Sequence, residues 1–350
     1  MKKKAIVYHD NLKKYDFGRG HPFRSERFSK YMKLLGKKEI LKDPEIDQIK
    51  QDPAEDQDIL LVHDLEYLEK VKRLAETKYR LTQDTPLSLE IIEGARYIVG
   101  GGLKAVELVS EGYNLVDAVG GGLHHAGPDY GGGFCVFNDV AVCGEAFLRL
   151  PGNERVMILD TDVHAGNGTM DIFYKDPRVL FIDVHQDPLS IYPGRGFVEE
   201  TGEGEGKGYT VNVPLPPYTG NDGMEMVLEK VFKPLVKQFE PQIIIRNGGA
   251  DPHFSDSLGS LKLTYEGFHR IGEVVREAAY PGNIPVVNMS CSGYNPDTVA
   301  EGMYSILSGL IDRELDIHED EIPENYESQI NNVKKIISEL GEELRDYWDI

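Results

Sequence analysis

Short runs of apolar, largely β-branched residues recur along the chain: "AIVYH" (5–9), "ILLVH" (59–63), "NLVDAV" (114–119), "VMILD" (156–160), "VLFIDV" (179–184), "YTVNV" (209–213), "IIIRN" (243–247) and "PVVNM" (285–289). Most are continuously apolar and lack the alternation of a half-exposed strand, which is the mark of strands covered on both faces. Eight strands are therefore expected. Between them the period changes: "SLEIIEGARYIVGGGLKAVELVSEG" (88–112), "GMEMVLEKVFKPLVKQFE" (223–240) and "TYEGFHRIGEVVREAAY" (264–280) carry apolar residues three and four apart, as amphipathic helices do. Strands alternating with helices predict an α/β fold with a parallel sheet and helices on both sides.

No internal repeat or long linker divides the pattern. The stretch "EETGEGEGKG" (199–208) reads as a surface loop, and the tail from about residue 311 reads as acidic and mostly helical, with Trp348 as its docking residue. At 350 residues, 40% of them apolar, the chain can bury a sizeable core as one large α/β domain or two average ones.

Charge narrows the partners. With 59 acidic against 38 basic residues the formal net charge is −21, which repels nucleic acid and membrane surfaces but suits a cationic small molecule or a basic protein, and also serves solubility. Cys135, Cys143 and Cys291 make an odd count without CxxC spacing, so neither a disulfide framework nor a thiolate zinc site is expected, and the compartment is read as reducing. The start "MKKKAIVYHD" has too short an apolar stretch for a signal peptide, and no segment approaches the roughly 18 apolar residues that span a bilayer. A cytoplasmic protein is expected.

Ligands of open parallel sheets collect beyond the carboxyl ends of the strands. His124 and His125 follow "NLVDAV", "DTDVHAGNG" (160–168) follows "VMILD", His185 follows "VLFIDV", Asp251 follows "IIIRNGG", and "SCSGYN" (290–295) with Tyr294 follows "PVVNM". Asp160, Asp162 and His164 alternate, so in an extended segment they point the same way. One imidazole and one carboxylate from this stretch, joined by Asp251, would make a three-ligand site with an open position, suited to catalytic zinc or ferrous iron. Water activated at such a site needs a base, and a leaving amine needs an acid. His124 and His125 can supply both if each turns its other ring nitrogen to an oxygen such as those of Asp160 or Asn167. Tyr294 can donate a hydrogen bond to a developing oxyanion.

In these motifs the chain resembles the histone deacetylase superfamily, which includes acetoin utilization proteins and acetylpolyamine amidohydrolases. The match runs in order from "GRGHPFRSERF" (18–28) through "TQDTP" (82–86), "GGGLHHAGPDYGGGFCVFND" (120–139), "DTDVHAGNGTMDIF" (160–173) and "IYPGRG" (191–196) to "GGADPHFSDSLGSLKLT" (248–264) and "GYN" (293–295). The resemblance implies an arginase-like, three-layer α/β/α fold around an eight-stranded parallel sheet. It implies Asp162, His164 and Asp251 as metal ligands for Zn2+ or Fe2+, His124 and His125 as the tandem catalytic histidines, and Tyr294 as the carbonyl-polarising tyrosine. It further implies Gly133, Phe134 and Tyr192 as walls of an acyl-lysine channel, Asp84 as the rim acid that holds substrate amides, and Arg27 on an acetate exit. A potassium ion is implied around Asp160, Asp162, His164, Asp183 and Val184. Residues 1–310 would form the deacetylase domain and 311–350 an acidic helical extension packed on it.

The chain also departs from the family pattern. Ala165 stands where a second histidine is usual, Asn167 where some members have aspartate, and Asp183 where serine is more usual. Pro252 and His253 follow Asp251, and "SCSGY" replaces a longer glycine run before Tyr294. In "SDSLG", Leu258 stands where polyamine-specific members carry an acid, which favours acetyl-lysine or a broad range of acetylated amines. Two further readings stay open: a binuclear manganese ureohydrolase, which would want an acid where His253 stands, and a catalytically silent acyl-lysine binding protein. Region 1–30 and the acidic tail are candidates for contacts in a homo-oligomer.

Overall fold

The computed structural model describes residues 3–321 and 327–350. Its strands are β1 (Lys3–Val7), β2 (Ile46–Ile49), β3 (Arg80–Thr82), β4 (Thr85–Pro86), β5 (Tyr113–Val119), β6 (Val156–Asp160), β7 (Val179–Gln186), β8 (Thr210–Leu215), β9 (Ile243–Asn247) and β10 (Val286–Ser290). Eight of them form a parallel sheet in the order β2-β1-β5-β10-β9-β6-β7-β8, and β3 and β4 make a separate two-stranded ribbon. The α/β class and the eight-stranded parallel sheet expected from the sequence are thus present.

Seven of the eight anticipated runs are strands, and the continuous apolar pattern has the anticipated cause: every residue of β6, β7, β9 and β10 is buried. The eighth, "ILLVH", is a correction. Glu55 and Asp58 form a capping box that starts a helical turn at Asp56–Ile59, the His63 N–H bonds back to the Ile59 carbonyl at 3.1 Å, and Leu60 stays 37% exposed. Its place in the sheet is taken by β2, "IDQI", an edge strand with two exposed polar residues and so no apolar run to betray it.

Two compact units organise the chain. One comprises the residues up to Asn153 with Asn167–Ile172 and Val287–Cys291; the other comprises Glu154–Gly166, Phe173–Val286 and Ser292–Ile350. In the first, the helix Leu89–Ser110 starts where Ser88 accepts from the Ile91 N–H, and it buries the apolar face read from its spacing. In the second, 223–240 is not one regular helix: Pro234 cannot donate to the preceding turn, and the segment runs as Asn221–Val227, a wider turn at Leu228–Phe232, and Lys233–Phe239. The helix Tyr265–Ala279 forms as expected.

The tail is less helical than expected: residues 311–321 carry no helix or strand, and Glu327–Leu344 is its one helix among the described residues. Its helix Glu327–Leu344 buries Val333, Leu340 and Leu344. Trp348 then donates Nε1–H to the Gly208 carbonyl at 2.6 Å and sets its ring edge-on to Tyr209 and Phe239. Residues 322–326 of the tail lie outside the described residues. None of the three cysteines is in a disulfide and all are buried, and no described helix is long and apolar enough to cross a membrane.

Candidate metal centre and catalytic residues

β6 ends on Asp160, and the chain then turns so that Asp162 and His164 face Asp251, which follows β9. The three side chains are buried, and one ligand atom from each lies within 4.8 Å of the others. His164 Nδ1 is 3.0 Å from Asp162 Oδ1 and 3.3 Å from Asp251 Oδ2. The close approach of the two loops depends on Gly248 (φ +122°), where a Cβ would lie 2.7 Å from the Asp162 nitrogen. Asp160 is not one of the three clustered ligands; its Oδ1 accepts from the Asp162 N–H at 3.1 Å and its Oδ2 from Asn247 Nδ2 at 2.8 Å, bonds that brace the ligand loop.

The electrostatics are those of a site short of positive charge. Burial alone would push the His164 pKa down, but the hydrogen bond to Asp162 and the charges of Asp162 and Asp251 overrule it and hold the ring at about 9. Asp251 is pushed up to about 7 by burial and by the Asp162 charge, against the pull of His164. The Ser292 hydroxyl donates to Asp251 Oδ1 at 2.7 Å, while the buried Oδ2 has no hydrogen-bond donor. Two buried carboxylates, one of them with an oxygen lacking a donor, and an imidazole between them fit a divalent cation.

His253, two residues beyond Asp251, takes no part. Its ring is buried against Phe254, Tyr265 and Phe268, its Nδ1 contacts Ser255, and its Nε2 faces Glu319 at 3.3 Å. Among the described residues, Asp162, His164 and Asp251 form the one cluster suited to a metal, so nothing favours a binuclear centre.

The Tyr294 ring stands edge-on to His164, with centroids 6.5 Å apart. Its turn is pinned by the buried Asp256, whose Oδ2 accepts from the N–H groups of Tyr294 (2.6 Å) and Asn295 (3.2 Å) and whose Oδ1 accepts from Leu258 N–H (2.9 Å). Tyr192 is 48% exposed and Leu258 half-buried, both in the same unit as the metal cluster. Asp183 accepts from Gly166 N–H at 2.8 Å and sits 3.0 Å from His185 Nδ1; His185 in turn reaches the Gly196 carbonyl at 2.9 Å. The unusual aspartate is thus matched by a histidine two residues along, on the fully buried β7 that also carries Val184.

In the other unit, His124 and His125 are buried with their Nε2 atoms 3.2 Å apart. Despite the flanking glycines, the backbone here is firmly held. Asp139 accepts from the N–H groups of Gly122 (2.9 Å) and Leu123 (2.7 Å), and the His124 carbonyl accepts from Thr169 N–H (3.0 Å) and Asn138 Nδ2 (3.3 Å). Asn138 also caps the helix Asp139–Leu148, and burial pushes the Asp139 pKa up to about 7 against its backbone hydrogen bonds. His125 Nδ1 lies 2.8 Å from Asn167 Oδ1. Below the pair, neutral His63 is a bracket: its Nδ1 reaches the Gly127 carbonyl at 2.8 Å and its Nε2 accepts from Asn138 N–H at 2.9 Å.

Gly133 and Phe134 both adopt left-handed backbone (φ 53° and 67°), a conformation that costs the phenylalanine about 1 kcal/mol. The turn is held by Tyr15, whose hydroxyl donates to the Phe134 carbonyl at 2.5 Å, and by Thr85, whose hydroxyl accepts from Phe134 N–H at 3.1 Å. Asp84 lies next to this turn, its carboxylate taking the hydroxyls of Thr82 and Thr85 and its carbonyl facing His21. Arg27 is buried, donates to the carbonyls of Cys291 (2.8 Å), Pro22 (3.2 Å) and Arg24 (3.0 Å), and lies over the Phe23 ring. Sequence reasoning passed over Asp139, Asp256, Ser292 and His63. All four stand inside stretches quoted above, but only the carboxylates of Asp139 and Asp256, in the longer motifs, offered a usable signal; the partners of Ser292 and His63 lie far off in sequence.

The fold and this set of residues define an α/β protein with a buried Asp-His-Asp cluster suited to a metal ion. Residues 21–310 match the family model of the histone deacetylase domain. The chain is 37% identical over 308 residues to a "Probable deacetylase" of Archaeoglobus fulgidus, covering 87% of this chain and 82% of that protein. It is 33% identical over 327 residues to an acetoin utilization protein AcuC of Staphylococcus aureus, covering 90% and 83%. The crystal structure of the HDA15 HD domain superposes with a TM-score of 0.88 at 22% identity, over 99% of this chain and 95% of that one, a likeness of fold. The chain belongs to the histone deacetylase family.

Proposed function

We propose that the protein is a metal-dependent deacetylase that hydrolyses the acetyl amide of lysine side chains or of small acetylated amines. The observation that carries the reading is the buried Asp162–His164–Asp251 cluster, with an Asp251 oxygen lacking a donor, in a chain of this family. These three residues would hold Zn2+ or Fe2+, which when bound polarises the amide carbonyl and lowers the pKa of water. His125, its Nδ1–H directed at Asn167 Oδ1, offers Nε2 as the base that takes the proton of the attacking water. As the new C–O bond forms, the Tyr294 hydroxyl donates to the oxyanion. His124 protonates the departing nitrogen, the C–N bond breaks, and acetate and the free amine result. Gly133, Phe134, Tyr192 and Leu258 would contact the aliphatic stem of the substrate, Asp84 would accept its amide N–H groups, and Arg27 would draw off acetate. Oxygens of Asp160, Asp162, His164, Asp183 and Val184 would take the potassium ion. The net charge of −21 favours cationic acetylated substrates over nucleic acid.

The test is turnover of a fluorogenic acetyl-lysine peptide and of acetylated polyamines by metal-loaded protein. Loss of acetate release on chelation and in Asp162→Ala supports the reading. Binding of the acetylated peptide by metal-loaded protein without any release of acetate overturns it.

A further inference from the structure

The helix Asn167–Phe173 places Asn167 and Asp171 four residues apart, hence on one face, and the Tyr130 hydroxyl lies against both. Tyr130 donates to Asp171 Oδ2 at 2.5 Å and accepts from Asn167 Nδ2 at 3.0 Å, and Asn167 Oδ1 faces His125 Nδ1 at 2.8 Å. The Asn167 backbone carbonyl lies farther from the same hydroxyl, at 3.5 Å. The polarity of this chain follows from its far end. A carboxylate only accepts, so Tyr130 spends its single proton on Asp171 and can only accept from its other neighbour. That neighbour must therefore present the NH2 group of Asn167, which turns the amide oxygen to His125, and an oxygen there requires the ring proton on Nδ1.

We infer that Tyr130 and Asp171 are positioning residues that dictate the tautomer of His125, directing its Nε2 lone pair to the reaction. This rests on the proposed role of His125 as base. An aspartate at position 167 would need no such help, since either of its oxygens accepts. An asparagine has two ends of equal size, and only a polar relay decides which one meets the histidine. The relay thus answers the question raised by the neutral residue at 167.

The experiment is a double-mutant cycle on the metal-loaded protein. Tyr130→Phe is expected to lower kcat by about tenfold or more with KM unchanged, the usual scale for a residue that orients a catalytic histidine. Asp171→Asn lowers kcat in the same direction. In an Asn167→Asp background, Tyr130→Phe should change kcat by less than about twofold, because the two sites are coupled only through the amide. An equal loss in both backgrounds marks a structural role and overturns the inference. Nitrogen-15 NMR of the histidine rings, assigned with His125→Ala, supplies a readout free of turnover: His125 carries its proton on Nδ1 in the parent and loses that preference in Tyr130→Phe. No change in the ring spectrum overturns the inference. A parent that releases no acetate while its His125 tautomer answers to Tyr130→Phe refutes the deacetylase reading and leaves the relay standing.

Discussion

The Ser292 hydroxyl donates to Asp251 Oδ1 at 2.7 Å and so turns the other carboxylate oxygen, which has no hydrogen-bond donor, toward His164. The serine belongs to the "SCSGY" turn that stands in place of a longer glycine run. Its place is set by the close approach of the two loops, with Ala250 N–H bonded to the Ser292 carbonyl at 2.9 Å. Removing the hydroxyl leaves the buried Asp251 Oδ1 with only the distant Val163 N–H, at 3.5 Å. Ser292→Ala should cost about 1–2 kcal/mol of stability and weaken metal affinity by about tenfold, read as a shifted midpoint in a competitive chelator titration. An unchanged midpoint would leave the serine only a packing role.

The same cluster should respond to cations through the stability of the fold. A divalent ion that binds the folded chain alone stabilises it by about 2.7 kcal/mol at a hundred times its dissociation constant, several degrees in melting temperature. Asp251→Asn should abolish that shift. Without metal the variant should melt no lower than the parent, because it removes a carboxylate that burial and the neighbouring Asp162 both disfavour. Scanning calorimetry with chelator and with added zinc checks both halves, and a shift that survives in Asp251→Asn would place the ion elsewhere.

How much of this was legible in the sequence depends on whether the signal was local. Strands β6, β7, β9 and β10 were, since burial on both faces demands consecutive apolar residues. Asp162 and His164 were, since they follow a strand end at alternate positions. β2 was not: an edge strand pairs on one side only and tolerates the polar "DQ". Conversely "ILLVH" carries a strand-like composition, but a capping box just before it decides the backbone. The partners of the site are the least legible. Ser292 meets Asp251, and Asp256 meets Tyr294, across 41 and 38 residues, and no spacing rule reaches that far. His253 misleads for the opposite reason, standing beside a ligand in sequence while its ring stacks in the core.

His63 gives the fold an acid limit. Burial pushes its pKa from 6.5 down to about 4, against the hydrogen bond to the Gly127 carbonyl. Above pH 6.5 both folded and unfolded chains hold it neutral. Between 6.5 and about 4 only the unfolded chain takes up the proton, so stability falls as pH falls, by up to about 3 kcal/mol across the window. His63→Gln should be less stable at pH 7 but show a correspondingly flatter loss toward pH 4.5 in urea midpoints. Parallel curves for parent and variant would show that other groups set the acid limit. Because the bracket joins Gly127 to Asn138, the loop of His124 and His125 should lose amide-exchange protection over the same range.

Tyr294 and Asn295 are half-buried, and the placement of Tyr294 depends on Asp256, whose one carboxylate holds three backbone N–H groups. If the hydroxyl of Tyr294 serves the oxyanion, its value lies in being aimed before the charge develops, and Asp256 is what aims it. Tyr294→Phe should lower kcat by about a hundredfold, the scale for losing one oxyanion donor, with little change in KM. Asp256→Ala should approach that loss although it touches no substrate, and combining the two should add little to Tyr294→Phe alone, since residues that act as a unit are not additive. Steady-state kinetics of the three variants on one acetylated peptide decide the matter. Fully multiplicative losses would mean that Asp256 acts on turnover by some route other than the tyrosine.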